Sequence, residues 1–140
     1  MSAHINRTIK APIDDVWKLI SDFENLQRWH PLVERCETVG EGVGAVRTVF
    51  FSDWWAKERL DRLDHVNHVM GYTVVDCSRA PAIGVSGTIS LQAEGSESTI
   101  IDWVSGLEDS NPYAEAVNTE LANYYPARIG HICSALNVLD

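Results

Sequence analysis

The sequence predicts an α+β fold in which one long C-terminal helix lies across a single curved sheet of antiparallel strands. The first observation is a run of apolar residues at steps of three and four between Asn111 and Leu139, the spacing of one helix face. The second is a series of short strand-like segments with short turns between Leu32 and Leu107, which favours antiparallel pairing. So long a helix needs a broad partner surface, and only these strands offer one.

The N-terminal part is predicted to form a strand followed by two short helices. Loose alternation over Ser2–Lys10 indicates the strand, and Ala11-Pro12 ends it. The first helix has an apolar stripe at Ile13, Val16, Trp17 and Ile20. A second short helix begins at Ser21 or Asp22 and ends before Pro31, because the residue before a proline leaves the helical region.

Six further strands are predicted between this helix pair and the C-terminal helix. They are Leu32–Val39, Arg47–Phe51, Lys57–Asp64, His68–Asp76, Ser86–Ala93 and Ser98–Leu107. The glycine-rich segment 40–44 is predicted to be a turn, because it lacks the helix and the Gly-Lys-Ser/Thr ending of a phosphate-binding loop.

The C-terminal helix carries two unusual residues. Asn111 is the predicted N-cap and Pro112 suits the first helical position. Pro126 lies inside the periodic run and predicts a kink. Arg128 lies on the otherwise apolar stripe, so its side chain either extends to the rim or faces an enclosed, partly polar space.

The composition indicates one globular domain spanning residues 1–140. The chain is 45% hydrophobic and 22% charged, which is enough apolar material for a core. A formal net charge of −9 argues against nucleic acid as a partner. No long apolar run and no apolar N-terminal signal region occur, so we expect no membrane span and a cytoplasmic location.

The sequence predicts neither a metal site nor a cofactor. Cys36, Cys77 and Cys133 are far apart and show no metal-ligand spacing, so we expect buried thiols. The five histidines are scattered without an obvious ligand set. His30 precedes a proline at a helix end, and the pattern assigns it no chemical role.

Several short motifs occur in an order that resembles a known family. They are Ala11-Pro-Ile-Asp-Asp-Val-Trp17, Asp22 to Pro31, Gly42-Val-Gly-Ala-Val-Arg47, Glu58-Arg-Leu-Asp-Arg-Leu-Asp64, Gly71-Tyr-Thr-Val-Val75 and Trp103. Together they resemble the polyketide cyclase/dehydrase branch of the START-like (SRPBCC) superfamily, which includes the birch-pollen allergen and the plant abscisic-acid receptors. The resemblance covers about residues 3 to 139. It implies the helix-grip fold, with seven strands around the C-terminal helix and a cavity for an apolar or amphipathic small molecule.

The resemblance also implies which side chains face that cavity. The glutamate of the Glu-Arg-Leu-Asp motif points inward in the receptors, and its equivalent is Glu58. Strand alternation from such anchors assigns the other strand residues, with Ser86 and Thr88 inward on their strand. The expected ligand contacts are Trp29, Phe51, Trp54, Trp55, Leu60, Ser86, Trp103, Leu121, Tyr124 and Arg128. Of the adjacent pair Trp54 and Trp55, one is expected to cover the cavity mouth; the alternative is that both cover the sheet edge.

The receptors' inward lysine falls near Glu34 here, and their proline-containing gate loop becomes Ser52-Asp53-Trp54-Trp55. Abscisic acid itself is therefore not the expected ligand.

Glu58, Tyr72 and Arg47 are the candidate catalytic residues. A carboxyl group among Tyr72, Trp103 and Phe51 loses solvation, which raises its pKa and suits an acid or base for enolisation, aldol closure or dehydration. The alternative is that Glu58 pairs with Arg47 or Arg128 and transfers no proton.

Two classes of function follow from this reading. The first is a cofactor-free polyketide cyclase, dehydratase or lyase that acts on a hydrophobic or aromatic small molecule. The second is a non-catalytic carrier or sensor of a lipid-like or hormone-like molecule, including an adaptor whose loops report whether the cavity is occupied. The family association favours the first. Whether the protein forms a homodimer is left open by the sequence.

Overall fold

The computed structural model describes residues 2–140 and contains a seven-stranded antiparallel sheet and a long C-terminal helix. The strands are β1 (His4–Ile9), β2 (Arg35–Val39), β3 (Val46–Phe50), β4 (Trp55–Asp64), β5 (Val69–Cys77), β6 (Ser86–Glu94) and β7 (Ser98–Gly106). The helices are α1 (Ile13–Ile20) and α2 (Ala114–Ala135), with short 3-10 helices at Leu26–Arg28 and Ala80–Ala82. The predicted α+β helix-grip fold is confirmed.

The strand order in the sheet is β1-β7-β6-β5-β4-β3-β2. Strands β2 to β7 form a meander, and β1 joins it by pairing with β7 from His4↔Val104 to Ile9↔Thr99. Because β1 and β2 lie at opposite edges, the chain between them must cross from one edge to the other. The segment with α1 and the first 3-10 helix makes this crossing.

Helix α1 packs one apolar face onto the sheet. Asp14 and Asp15 lie in its first turn, where the helix dipole favours negative charge. Its buried residues are Val16, Trp17, Leu19 and Ile20. The Trp17 indole donates a hydrogen bond to Nδ1 of His65 at 3.1 Å, which ties the helix to the β4–β5 turn.

Helix α2 is shorter than predicted at both ends. It begins at Ala114, and Asn111 does not cap it; instead the Asn111 side-chain oxygen accepts a hydrogen bond from the Tyr113 amide in the turn before the helix. It ends at Ala135 instead of Leu139, so its 22 residues span about 33 Å. Pro126 lies inside the helix, which continues on both sides of it.

The hydrophobic core consists of two clusters. The larger joins α1, the first 3-10 helix and the C-terminal half of α2 to the sheet. The smaller cluster joins the N-terminal end of α2 to the sheet and the segments next to it. Its members are Ala56, Val74, Cys77, Val85, Leu107, Ala114 and Val117. Leu121 packs against both. Cys77 and Cys133 are buried free thiols, whereas Cys36 is only partly buried.

Within residues 2–140, no helix combines the length and apolar character needed to cross a membrane.

Candidate functional site

An internal cavity of about 610 Å³ lies between α2 and the sheet. Its lining residues come from both core clusters, so the cavity separates them. Its volume falls within the range of about 300 to 1,000 Å³ that is typical of small-molecule sites. The wall is mainly apolar, with a few polar side chains that face the same space.

One wall of the cavity is a set of packed aromatic rings. Trp103 on β7 stacks on Tyr125 of α2, with ring centroids 4.8 Å apart and planes tilted by 21°. Trp29, just after the first 3-10 helix, meets Trp103 edge-on at 6.3 Å. These contacts fix the positions of the aromatic rings on this wall.

Arg47 and Glu58 form an ion pair on the sheet side of the cavity. They are direct partners in the β3–β4 ladder. Arg47 Nε donates to Glu58 Oε1 at 2.8 Å, and Nη2 lies 2.8 Å from the same oxygen. Arg47 Nη1 donates to the Phe23 carbonyl at 3.1 Å, and only 4% of Arg47 is exposed. Of the two partners considered from the sequence, Arg47 is therefore the one that binds Glu58.

Tyr72 presents a protonated phenol to the cavity. Its hydroxyl accepts a hydrogen bond from the Trp103 indole at 3.3 Å. Burial raises the pKa of Tyr72, and the nearby Tyr125 and Glu58 raise it further. The ring lies over Gly87, its partner on β6, where a Cβ atom would come within 2.4 Å of the phenol. Gly87 thus makes the room for the Tyr72 ring.

His30 is a lining residue that the sequence analysis did not identify. It is 5% exposed, and its Nδ1 has no hydrogen-bond partner in the described structure. Burial lowers the pKa of His30 to about 3, and Arg128, His131 and Arg47 contribute to the same shift. The imidazole is therefore neutral near pH 7. No local pattern marks this residue, because its burial comes from Phe51 and His131, whose rings each lie 5.6 Å away.

The mouth of the cavity lies where its lining residues are exposed, at Ser78–Pro81 and at Glu120 and Tyr124 of α2. Trp54 stacks on Phe51 there, with centroids 4.0 Å apart and planes within 7°. The Arg79 guanidinium lies 4.5 Å from the Trp54 ring centroid. Trp54 is thus the tryptophan of the adjacent pair that borders the cavity.

Most of the predicted site residues line this cavity: Arg47, Glu58, Tyr72, Trp29, Phe51, Trp54, Trp103, Leu121, Tyr124 and Arg128. Three of the predicted contact residues, Trp55, Leu60 and Ser86, are not among the residues that line it. Trp55 points away from Trp54 and lies 5.9 Å from the Lys57 ammonium. Leu60 faces inward as alternation required, but it borders a smaller separate cavity of about 310 Å³.

The predicted inward direction of the Ser86 side chain was wrong. On β6, the residues that face inward are displaced by one position from the predicted ones. The inward positions are Gly87 and Ile89, whereas the Ser86 hydroxyl donates to the Gly106 carbonyl at 3.4 Å. Thr88 is exposed for the same reason. The pairing of Gly87 with the inward-facing Tyr72 in the β5–β6 ladder corresponds to this phase, and alternation within the strand alone cannot reveal it.

Within residues 2–140, no group of three or more His, Cys, Asp or Glu residues could hold a metal ion.

Comparison of the chain with known sequences identifies a family and several relatives. The profile of the family described as polyketide cyclase / dehydrase and lipid transport matches residues 2–129. An abscisic acid receptor from Arabidopsis thaliana is 31% identical over 99 residues, which cover 66% of this chain and 54% of the receptor. A second receptor from that plant is 36% identical over 77 residues, which cover 51% of this chain and 40% of the receptor. The chain thus spans about half, or less, of the length of these relatives.

Solved structures share the fold over almost the whole chain. The protein XoxI from Bacillus cereus superposes with a TM-score of 0.82 at 18% identity, covering 96% of this chain and 94% of its own. Norcoclaurine synthase from Thalictrum flavum, in complex with dopamine and hydroxybenzaldehyde, gives a TM-score of 0.75 at 19% identity, covering 97% and 85%. At these identities the similarity shows a common fold.

Proposed function

The chain belongs to the polyketide cyclase/dehydrase and lipid transport family, and from that premise we propose that it binds a hydrophobic or aromatic small molecule in the cavity between α2 and the sheet. The cavity itself is the observation that carries this proposal. Protein interiors are packed about as densely as organic crystals, and large voids are rare because their lining loses dispersion contacts. A void of about 610 Å³ between two core clusters is therefore best explained as space for a ligand.

A neutral aromatic probe tests this proposal. Phenylnaphthylamine becomes fluorescent in apolar surroundings, and Trp29, Trp54 and Trp103 line the cavity closely enough to transfer excitation energy to it. We expect saturable binding with quenching of tryptophan emission. Leu121→Trp, which fills the cavity, should abolish binding, whereas Val66→Trp adds the same indole at a position that is 85% exposed and should leave binding unchanged. Binding that survives in the Leu121→Trp protein would place the probe elsewhere.

The second candidate is a cofactor-free cyclase or dehydratase. It is favoured by the presence of a proton acceptor and a proton donor on one wall. Oε2 of Glu58 has no hydrogen-bond donor among the described residues, and the Tyr72 phenol keeps its proton. Glu58 would accept the α-proton of a ligand ketone, and the resulting enolate carbon would attack a second carbonyl of the same chain. That carbon–carbon bond closes the ring, and Tyr72 would protonate the new alkoxide and recover its proton from Glu58. Loss of the new hydroxyl group together with the remaining α-proton, as water, would then give the unsaturated ring.

A linear β-polyketone separates the two candidates. If the protein is an enzyme, it accelerates ring closure above the rate in buffer, and Glu58→Gln and Tyr72→Phe lose that acceleration while they still bind phenylnaphthylamine. Acceleration that persists in both variants would remove these residues from the chemistry. If the wild-type protein binds the amine but does not accelerate closure, the enzyme candidate fails and a carrier or sensor remains.

A further inference from the structure

Three arginines line the cavity, and they differ in their counterions. Arg47 pairs with Glu58, and Arg79 at the mouth has the Asp53 carboxylate at 3.7 Å. Arg128 of α2 has no ion pair with any described carboxylate; its guanidinium lies 5.3 Å from the Tyr124 ring centroid. One cation that faces the cavity is thus left without an anionic partner.

No carboxylate of the described residues lies close enough to Arg128 to form an ion pair with it. Burial lowers the pKa of Arg128, so the site disfavours its charged form. The His30 and His131 rings lie 5.6 Å apart. The Nδ1 atoms of both are buried and have no hydrogen-bond partner among the described residues. The positive charge of Arg128 helps to lower the pKa values of both imidazoles. Two carboxylates border the cavity, but Glu58 is engaged by Arg47 and Glu120 accepts the Tyr124 hydroxyl at 2.7 Å.

Arg128 therefore presents an unpaired positive charge to the cavity, although the whole chain carries a formal net charge of −9. A partly buried charge without a partner is unfavourable unless something supplies the opposite charge. A guanidinium presents several N–H donors in a plane, which suits the paired oxygens of a carboxylate or a sulfonate. A bound anion would provide the missing counterion without any change in the protein.

We propose that Arg128 is an anion-binding residue and that the ligand is an amphipathic acid, with its apolar body in the cavity and its anionic group on the Arg128 guanidinium. The inference rests on the proposed binding function, and it adds the charge of the ligand and the atom group that recognises it. The Arg47–Glu58 pair then lines the apolar body of the ligand and does not hold its anionic group.

Two probes that share one ring system test the inference. Anilinonaphthalene sulfonate carries an anionic group, and phenylnaphthylamine is the same ring system without it. We expect Arg128→Met to weaken binding of the sulfonate by about tenfold to a hundredfold, the range for a lost charge-assisted hydrogen bond, and to leave the amine unchanged. Arg128→Lys, which keeps the charge, should recover most of the sulfonate affinity.

Arg7→Gln is the matched control. It changes the net charge of the chain by the same amount as Arg128→Met, but Arg7 is exposed on β1 and does not line the cavity. It should bind both probes as the wild-type protein does. If Arg7→Gln weakens binding of the sulfonate as much as Arg128→Met does, the effect is due to the net charge of the chain and the inference fails.

The remaining outcomes distinguish a failure of the anion-binding inference from a failure of the proposed binding function. If the wild-type protein and Arg128→Met bind both probes equally well, Arg128 binds no anion and the cavity proposal stands. The same holds if the amine binds and the sulfonate does not. If neither probe binds the wild-type protein, both proposals fail.

Imidazole titration followed by NMR gives a second readout. An anion on Arg128 would cancel the field that disfavours the imidazolium forms of His30 and His131, so saturation with the sulfonate should raise both pKa values. The neutral amine lacks the charge and should raise them less. Equal shifts with the two probes would contradict an anion at Arg128.

Discussion

Arg47 and Glu58 face each other across the β3–β4 ladder, and two nitrogens of the guanidinium lie 2.8 Å from the same carboxylate oxygen. The third guanidinium nitrogen is held by the Phe23 carbonyl at 3.1 Å, and the Phe23 ring centroid lies 4.3 Å from the guanidinium carbon. Every part of Arg47 is therefore engaged by the protein. The second carboxylate oxygen of Glu58 accepts no hydrogen bond from the described residues.

Removal of one partner of this pair should destabilise the protein strongly. Glu58→Ala leaves Arg47 buried without a counterion, and we expect the free energy of unfolding to fall by about 3 kcal/mol. The double variant Arg47→Met/Glu58→Leu removes both charges and should lose less than Glu58→Ala alone. Urea unfolding near pH 7 measures both. A Glu58→Ala protein as stable as the wild type would show that the pair contributes little.

Stability should fall on mild acidification because of His30. Its pKa is lowered from 6.5 to about 3, so the unfolded chain binds this proton more readily than the folded protein does. The stabilisation is thus complete above about pH 6.5 and is lost progressively as the pH falls towards 3. At about 1.4 kcal/mol per unit, the loss from His30 between about pH 7 and pH 5 is about 2 kcal/mol.

The control for this prediction is His30→Gln, which cannot titrate. Its unfolding free energy should depend less steeply on pH over the same window, with a residual slope from His131, whose pKa is also lowered by burial. Identical slopes for the wild type and His30→Gln would contradict a neutral buried imidazole at this position.

Gly87→Ala should weaken ligand binding strongly but lower the free energy of unfolding only slightly. The new methyl group would lie 2.4 Å from Cζ and Oη of Tyr72, so the phenol ring must move. The cavity beside it gives the ring somewhere to go, which limits the loss of stability to about 1 kcal/mol but places the ring in the ligand's space. Phenylnaphthylamine titration and urea unfolding measure the two effects. Truncating the ring as well, in Gly87→Ala/Tyr72→Ala, should restore probe binding; unchanged binding in the single variant would refute the prediction.

Trp54→Ala should speed release of a bound probe. Trp54 stacks on Phe51 at the mouth, and such a stack is worth about 0.5 to 1.5 kcal/mol. Its loss predicts dissociation of phenylnaphthylamine that is about two- to tenfold faster in stopped-flow measurements. Trp55→Ala removes the adjacent indole from outside the cavity and should leave the rate unchanged. Equal acceleration by both variants would mean that Trp54 is not a barrier to exit.

The separation between Trp54 and Trp55 shows what local pattern decides well. Neighbouring residues in an extended segment point to opposite faces, so the sequence predicted that the two indoles face opposite ways, but it left open whether either one borders the mouth. The family resemblance implied that Glu58 faces the cavity, and alternation then assigned Arg47 to the same side of the sheet. The long helix was evident because its apolar positions repeat at a fixed spacing that needs no information about distant residues.

Strand alternation predicted the wrong inward-facing residues on β6. On β6 the predicted phase was off by one residue, and Gly87 and Ile89 face inward in place of Ser86 and Thr88. Within a strand the faces of residues are fixed relative to one another, but the absolute phase depends on how the loop joins the sheet.

Spacing within single segments was enough to predict the order of the elements, the antiparallel sheet and the helix that lies across it. The folded structure was needed to show that His30 is buried against Phe51 and His131, and that Arg128 faces the cavity without a partner among the described carboxylates. Burial and counterions are set by residues far apart in the chain. Whether a polar side chain is paired therefore becomes visible only when the layers are brought together.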